Sequence, residues 1–193
     1  MAETETNDRF LQLKVDLNRC YDSKRYYKQK IRFLLSDYLP FDLLEKSTTT
    51  LVLLYNIERH NRGLITPSNV DLLFEITQIL QVKEAEDLVN QYMEENNVQI
   101  TNHRTLSRYR MKMFRALEEV STDVRHLTVY YKLYKNFQNV WDLVLKLEMA
   151  NYLADEPDKL GKFARLLNPT AKAILLDYGS CWTQKTSGRR ESI

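Results

Sequence analysis

Apolar residues along this chain recur three and four positions apart, the spacing that gathers them on one side of an α-helix. Phe10, Leu13 and Leu17 stand at i, i+3 and i+7, with Leu11 and Val15 beside them, and predict a first amphipathic helix ending near Cys20. Asp22 or Ser23 is placed to cap a second helix, whose apolar members include Tyr27, Ile31, Leu34 and Leu35. Pro40 breaks that helix after Leu39 and opens a short apolar segment, Phe41 to Leu44. Ser47 and Thr48 to Thr50 then lead into a largely apolar run, Leu51 to Glu58. The threonines and Val52 allow a strand here, but the flanking segments are helical and no partner strand is visible, so a helix is preferred. Gly63 reads as a turn residue. Thr66-Pro67-Ser68 predicts a helix start, with Thr66 as N-cap and Pro67 at the first helical position. Val70, Leu72, Leu73, Ile76, Ile79 and Leu80 form the apolar face that follows, and a last helix around Glu84 to Met93 closes the first half.

Glu94-Glu95-Asn96-Asn97 is polar and reads as a linker. A second series follows it: Thr105 to Val120, Thr122 to Tyr134, Phe137 to Met149, Pro157 to Leu167 and Pro169 to Tyr178. Thr122 is placed as an N-cap, and Pro157 and Pro169 each stand at a helix start. The halves have similar lengths and helix orders, which predicts a weak internal duplication. The expected fold class is all-α, a six-helix domain repeated in tandem, with a first domain over 8–95, a linker over 96–104, a second domain over 105–178 and a flexible tail over 179–193.

Composition supports helices: only four Gly and four Pro stand in 193 residues, too few for the many tight turns of a sandwich or barrel. The hydrophobic fraction, 44%, excludes collagen-like and disordered classes. The net charge of +2 is carried by the tail, where Lys185, Arg189 and Arg190 face Glu191, and residues 1–178 are about neutral. That balance disfavours nucleic acid as a partner, since a duplex-binding domain is normally basic on one face. Cys20 and Cys181 lie far apart and read as two free thiols of a reducing compartment. No segment approaches the roughly 18 consecutive apolar residues of a membrane span. The polar, acidic stretch Met1 to Asp8 is unlike a secretory signal, so the expected address is cytoplasmic.

Candidate chemistry is sparse. His60, His103 and His126 are scattered without metal-ligand spacing, and four isolated glycines assemble no phosphate cradle. Adjacent carboxylates such as Glu94-Glu95 and Glu118-Glu119 splay about 100° apart on a helix and read as solvated charge. No catalytic residue, metal site or cofactor is expected. Arg189-Arg190-Glu191-Ser192 has the form of a kinase site, but such short basic-Ser patterns are common by chance. Tyrosine is the unusual count, at twelve. Tyr26-Tyr27, Tyr130-Tyr131 and Tyr134 fall on the second helices of the two halves, where such side chains serve a core or a protein interface better than stacked bases.

Several runs carry a family resemblance. Ile31-Arg32-Phe33-Leu34-Leu35-Ser36-Asp37-Tyr38-Leu39-Pro40 resembles the second-helix signature of a death effector domain, and Leu43-Leu44-Glu45, Leu64-Ile65 and Leu72-Leu73-Phe74 fit its later positions. Leu106-Ser107-Arg108-Tyr109-Arg110, with Met113 and Leu117-Glu118-Glu119-Val120-Ser121, resembles the opening of the second such domain in tandem proteins. Asp142 to Glu148 resembles its fourth helix, and Asn151-Tyr152-Leu153 with Pro157-Asp158-Lys159-Leu160 its turn and fifth helix.

The resemblance spans roughly residues 8–178 and implies two death-fold six-helix bundles that act by homotypic association without catalysis. It implies docking on the death effector domain of the adaptor FADD and on initiator-caspase prodomains, with self-association as a further contact and neither nucleic acid nor membrane as a partner. The chain ends shortly after the second domain, as in a FLIP-like regulator of apoptosis; as a piece of a longer chain it fits an initiator-caspase prodomain equally. By the resemblance, Val129 and Tyr130, with Tyr131 beside them, face outward as partner-binding residues, and Asp123 keeps the acid of the family's charge triad. Phe33 and Leu34 are expected either to pack between the domains or to serve as exposed partner-binding anchors, the packed role being preferred because two adjoining small domains should bury an apolar face. Tyr27 stands where the first triad's acid belongs. The Arg-x-Asp-Leu motif is replaced near Gln78 to Gln81 or Glu84 to Leu88, and again at Asn168-Pro169-Thr170-Ala171. With both triads broken, the expectation is a chain that caps or blocks caspase assembly; the alternative is a prodomain or adaptor that promotes it.

Overall fold

A computed structural model describes residues 2–101, 104–120, 124–134 and 137–176. Thr122, Asp123, His103, Cys181 and the tail lie outside the described residues. The chain divides into two compact units, Met1–Ser107 and Arg108–Ile193. Among the described residues the secondary structure is helical, apart from one isolated bridge between Thr66 and Asn69, so the all-α reading holds.

The first unit holds six helices: α1 (Ala2–Asp22), α2 (Tyr27–Leu34), α3 (Phe41–Lys46), α4 (Thr50–His60), α5 (Asp71–Leu80) and α6 (Lys83–Asn96). α1 packs against α4 and α6, α5 against α6, and α2 against α1, α4 and α5. Phe10, Leu13 and Leu17 are buried as their spacing requires, and Leu11 faces out. α1 begins earlier than its apolar face does, because acidic residues suit a helix N-terminus and Arg9 closes an i, i+4 ion pair with Glu5 at 2.6 Å.

Two capping expectations are corrected. Asp22 does not cap α2, whose N-cap is Tyr26 in the left-handed region at φ 68°, a rare conformation for a bulky side chain. Asp22 serves α4 instead. Its Oδ1 accepts from the Thr50 N–H at 3.2 Å and the Thr50 hydroxyl at 2.6 Å, Asn18 accepts from the Leu51 N–H at 2.9 Å, and Thr49 accepts from the Val52 N–H at 3.2 Å. Three otherwise orphaned donors of α4 are thus satisfied, two of them by α1. Thr66-Pro67 does not start α5 either. Thr66 and Asn69 exchange backbone hydrogen bonds, and Asn69 accepts from the Asp71 N–H at 3.2 Å, so the segment is a turn whose last residue takes over the capping.

α6 runs to Asn96, beyond the sequence expectation, and Asn97 ends it at φ 52° with the Val98 N–H donating to the Met93 carbonyl at 3.0 Å. The chain that follows is tied to the first unit. Thr101 donates from its hydroxyl and backbone N–H to Asp71. The N–H groups of Thr105 and Leu106 both donate to one oxygen of Glu75, at 2.9 and 3.0 Å, and Tyr38 donates to the Thr105 carbonyl. Ser107 donates to Asp37 at 2.8 Å.

The second unit holds α7 (Arg108–Glu118), α8 (Arg125–Tyr130), α9 (Val140–Met149), α10 (Pro157–Ala164) and a helical stretch over 169–176. These match the five predicted segments in order, with Pro157 at the start of α10 and residue 169 opening the last stretch. α8 is shorter than predicted, because Lys132 turns the backbone at φ 51° and the Leu133 N–H donates back to the Thr128 carbonyl at 3.0 Å. Residues 131–134 and 137–139 are turn and irregular chain, so the described residues do not supply this unit with a sixth helix. Phe114 and Trp141 pack at 5.0 Å between ring centroids, with Met113, Leu127, Val144, Leu147 and Phe163 buried in the same unit.

Candidate docking surfaces

α8 presents its residues by helical periodicity. Val124, Leu127 and Thr128 point inward, and the ring of Tyr131 follows half-buried; Arg125, His126, Val129 and Tyr130 point out. Val129 is 77% exposed and Tyr130 55%, as their outward register requires. Tyr131 packs edge-on against Tyr130 at 5.0 Å, and Tyr152, which sequence reasoning placed only in a turn, lies 5.7 Å from Tyr131 and is itself exposed. The result is an aromatic ridge of Tyr130, Tyr131 and Tyr152 with Val129 alongside. The Tyr131 hydroxyl is buried and finds no hydrogen-bond partner among the described residues; burial, and then Tyr130, push its pKa up. Tyr152 was detectable only as another aromatic. Asn151 before it takes the left-handed region at φ 59°, and that turn swings the ring into place. Tyr134 is fully exposed, and Asp123 lies outside the described residues.

The corresponding register of the first unit behaves differently. Aligning Phe33-Leu34 with Val129-Tyr130 pairs Ile31 with Leu127, both inward. Phe33 and Leu34, however, are each 0% exposed. Burial removes the exposed-anchor alternative for this pair, since an anchor must be reachable before a partner arrives.

Unit one carries a different exposed apolar surface. Leu11, Val52 and Tyr55 are its exposed large apolar side chains among the described residues, all on α1 and α4. Leu11 and Tyr55 line a cleft of about 340 Å³ together with Asn7, Phe10, Lys14, Glu58 and Arg59. Its floor is a buried cation. The Lys14 ammonium donates to Glu58 at 2.6 Å and lies 4.6 Å from the Phe10 ring centroid and 5.3 Å from that of Tyr55. The apolar spacing hid this residue, because Lys14 stands on the apolar face of α1 and nothing local names its partner 44 positions away.

Among the described residues no group of three His, Cys, Asp or Glu side chains is placed to hold a metal ion. No described helix is long and apolar enough to cross a membrane. Both surfaces present aromatic area, a few polar tips and charged side chains. No protein-family model matches the chain, and a search of curated proteins returns no significant match.

Proposed function

We propose that this protein is a non-enzymatic regulator of death-receptor apoptosis signalling, built as tandem death effector domains. It docks on the FADD death effector domain and on initiator-caspase prodomains in the cytoplasm and blocks or caps caspase assembly. The observation that carries the reading is the outward placement of Val129 and Tyr130, at the register where the sequence resemblance puts a docking pair. Tyrosine and a neighbouring aliphatic side chain make an effective anchor, because a rigid ring supplies large contact area for little lost rotamer freedom. The cleft between α1 and α4 is the complementary kind of surface, a hollow that sets Phe10, Leu11 and Tyr55 beside the charged side chains of Lys14, Glu58 and Arg59.

The test is a size-exclusion and pull-down experiment with purified FADD death effector domain and a caspase prodomain. A discrete soluble complex that stops caspase filaments growing is the expected result. Seeded filaments would instead establish a promoter of assembly, and absence of contact with either partner would overturn the reading.

A further inference from the structure

We propose that Ser107 is a phosphorylation site for a basophilic serine/threonine kinase, and that its phosphate undocks residues 104–107 from Asp37, Tyr38 and Glu75 of the same unit. Arg104 stands three residues before Ser107 and Arg108 directly after it, and all three are exposed. An Arg at that distance is the element a basophilic kinase reads, since its guanidinium pairs with carboxylates beside the substrate groove. Residues 104–107 are not helical, the form in which a substrate segment threads such a groove.

Arg-x-x-Ser is a short pattern, and the contacts of Ser107 give it meaning. Its hydroxyl donates to Asp37 Oδ2 at 2.8 Å, one residue from Tyr38, which donates to the Thr105 carbonyl. Glu75 accepts the Thr105 and Leu106 N–H groups at 2.9 and 3.0 Å, and Leu106 is buried. The segment is therefore held by acceptors on carboxylates. A phosphate at Ser107 loses the donor and sets nearly two negative charges against Asp37, within reach of Glu75. The same phosphate precedes the first residue of α7, where a helix N-terminus favours negative charge, so α7 is retained while the segment ahead of it lets go.

In the transfer, Ser107 Oγ attacks the γ-phosphorus of ATP bound in the kinase. The Oγ–P bond forms, the bond from that phosphorus to the β,γ-bridging oxygen breaks, and ADP leaves. The hydroxyl proton passes to the kinase's catalytic carboxylate. Because Leu106 must lift for the segment to enter the kinase, modification follows local opening and then prevents reclosing.

The experiment treats the full chain with a basophilic kinase and ATP, locates phosphate by mass spectrometry and follows amide exchange. Phosphate is expected at Ser107, absent from Ser107→Ala. The rate should fall about tenfold in Arg104→Ala, the loss of one charge-assisted contact, in a residue exposed enough to leave the fold intact. In the phosphorylated chain the Thr105 and Leu106 amides should exchange about tenfold faster, and Asp37→Asn should restore much of their protection. Phosphate on another residue with Ser107 unmodified would overturn the site. Modified Ser107 with unchanged Thr105 and Leu106 exchange would overturn the release, as would faster exchange that Asp37→Asn does not reduce.

Discussion

Arg110 grips Glu148 through Nη1, which donates to both carboxylate oxygens at 2.9 and 2.8 Å. The Tyr109 hydroxyl donates to Oε1 as well, at 2.6 Å. The contact joins α7 to the end of α9, as Lys14 and Glu58 join α1 to α4 in the first unit. Both units thus bury a cation on their opening helix and seat it on a glutamate near the end of a later one, α4 in the first unit and α9 in the second.

These two clamps should respond differently to the loss of the cation. Arg110→Met takes the countercharge from Glu148, whose side chain is only 14% exposed, and should cost about 3 kcal/mol, with Glu148→Gln in the same chain recovering part of it. Lys14→Met leaves Glu58, 34% exposed, able to rehydrate, and should cost about 1 kcal/mol. Denaturant midpoints of the three variants check both, and equal losses from Arg110→Met and Lys14→Met would show that burial does not set the difference.

Tyr130→Ala should weaken partner binding by about 2 kcal/mol while leaving the helical melt unchanged, because its ring stands outside the core. Tyr152→Ala should weaken the same contact to a smaller degree, as the neighbour supporting the ridge. Phe33→Ala is the contrasting case and should cost about 3–5 kcal/mol of stability as a cavity substitution in a fully buried position. A parallel drop in melting temperature for Tyr130→Ala would place that residue in the core after all.

The Tyr131 hydroxyl is buried without a partner among the described residues, so Tyr131→Phe removes an uncompensated polar group and keeps the ring. The variant should be neutral or stabilised by up to about 1 kcal/mol. A loss of stability in thermal unfolding would mean that the hydroxyl has a partner in solution.

Alkaline pH should unfold the protein through its tyrosines. Burial, then Asp37 and Glu75, hold Tyr38 up at about 12, and burial, then Glu148, push Tyr109 higher still. A raised acid keeps its proton in the folded state after the unfolded chain has lost it. Stability is therefore full below about pH 10 and falls as pH rises toward the folded values. Absorbance at 295 nm and melting temperature followed together should show late tyrosinate formation coinciding with unfolding, and Tyr38→Phe should shift the onset upward.

The periodic skeleton was legible in the sequence: Phe10, Leu13 and Leu17 turned inward on α1, and the run after Thr50 formed a helix despite its β-branched residues. What local pattern missed was long-range bonding. Asp22 looked like the cap of the next helix because it stands just before one, yet its acceptors were taken by Thr50, 28 residues away. Thr66-Pro67 carried a strong start signal, and Asn69 displaced it through its own side-chain hydrogen bonds. At the surface, the family resemblance implied outward positions for Val129 and Tyr130, and both are exposed, whereas Tyr152 depends on a turn whose geometry no spacing announces.

Burial of Phe33 and Leu34 beside exposure of Val129 and Tyr130 has a consequence for stoichiometry. On the docking reading, the described residues offer this kind of ridge at one place. A monovalent molecule added to a polymer growing through such surfaces acts as a chain stopper. Mean polymer length should then fall with the molar ratio of stopper to subunit, so modest expression would suffice to keep assemblies short.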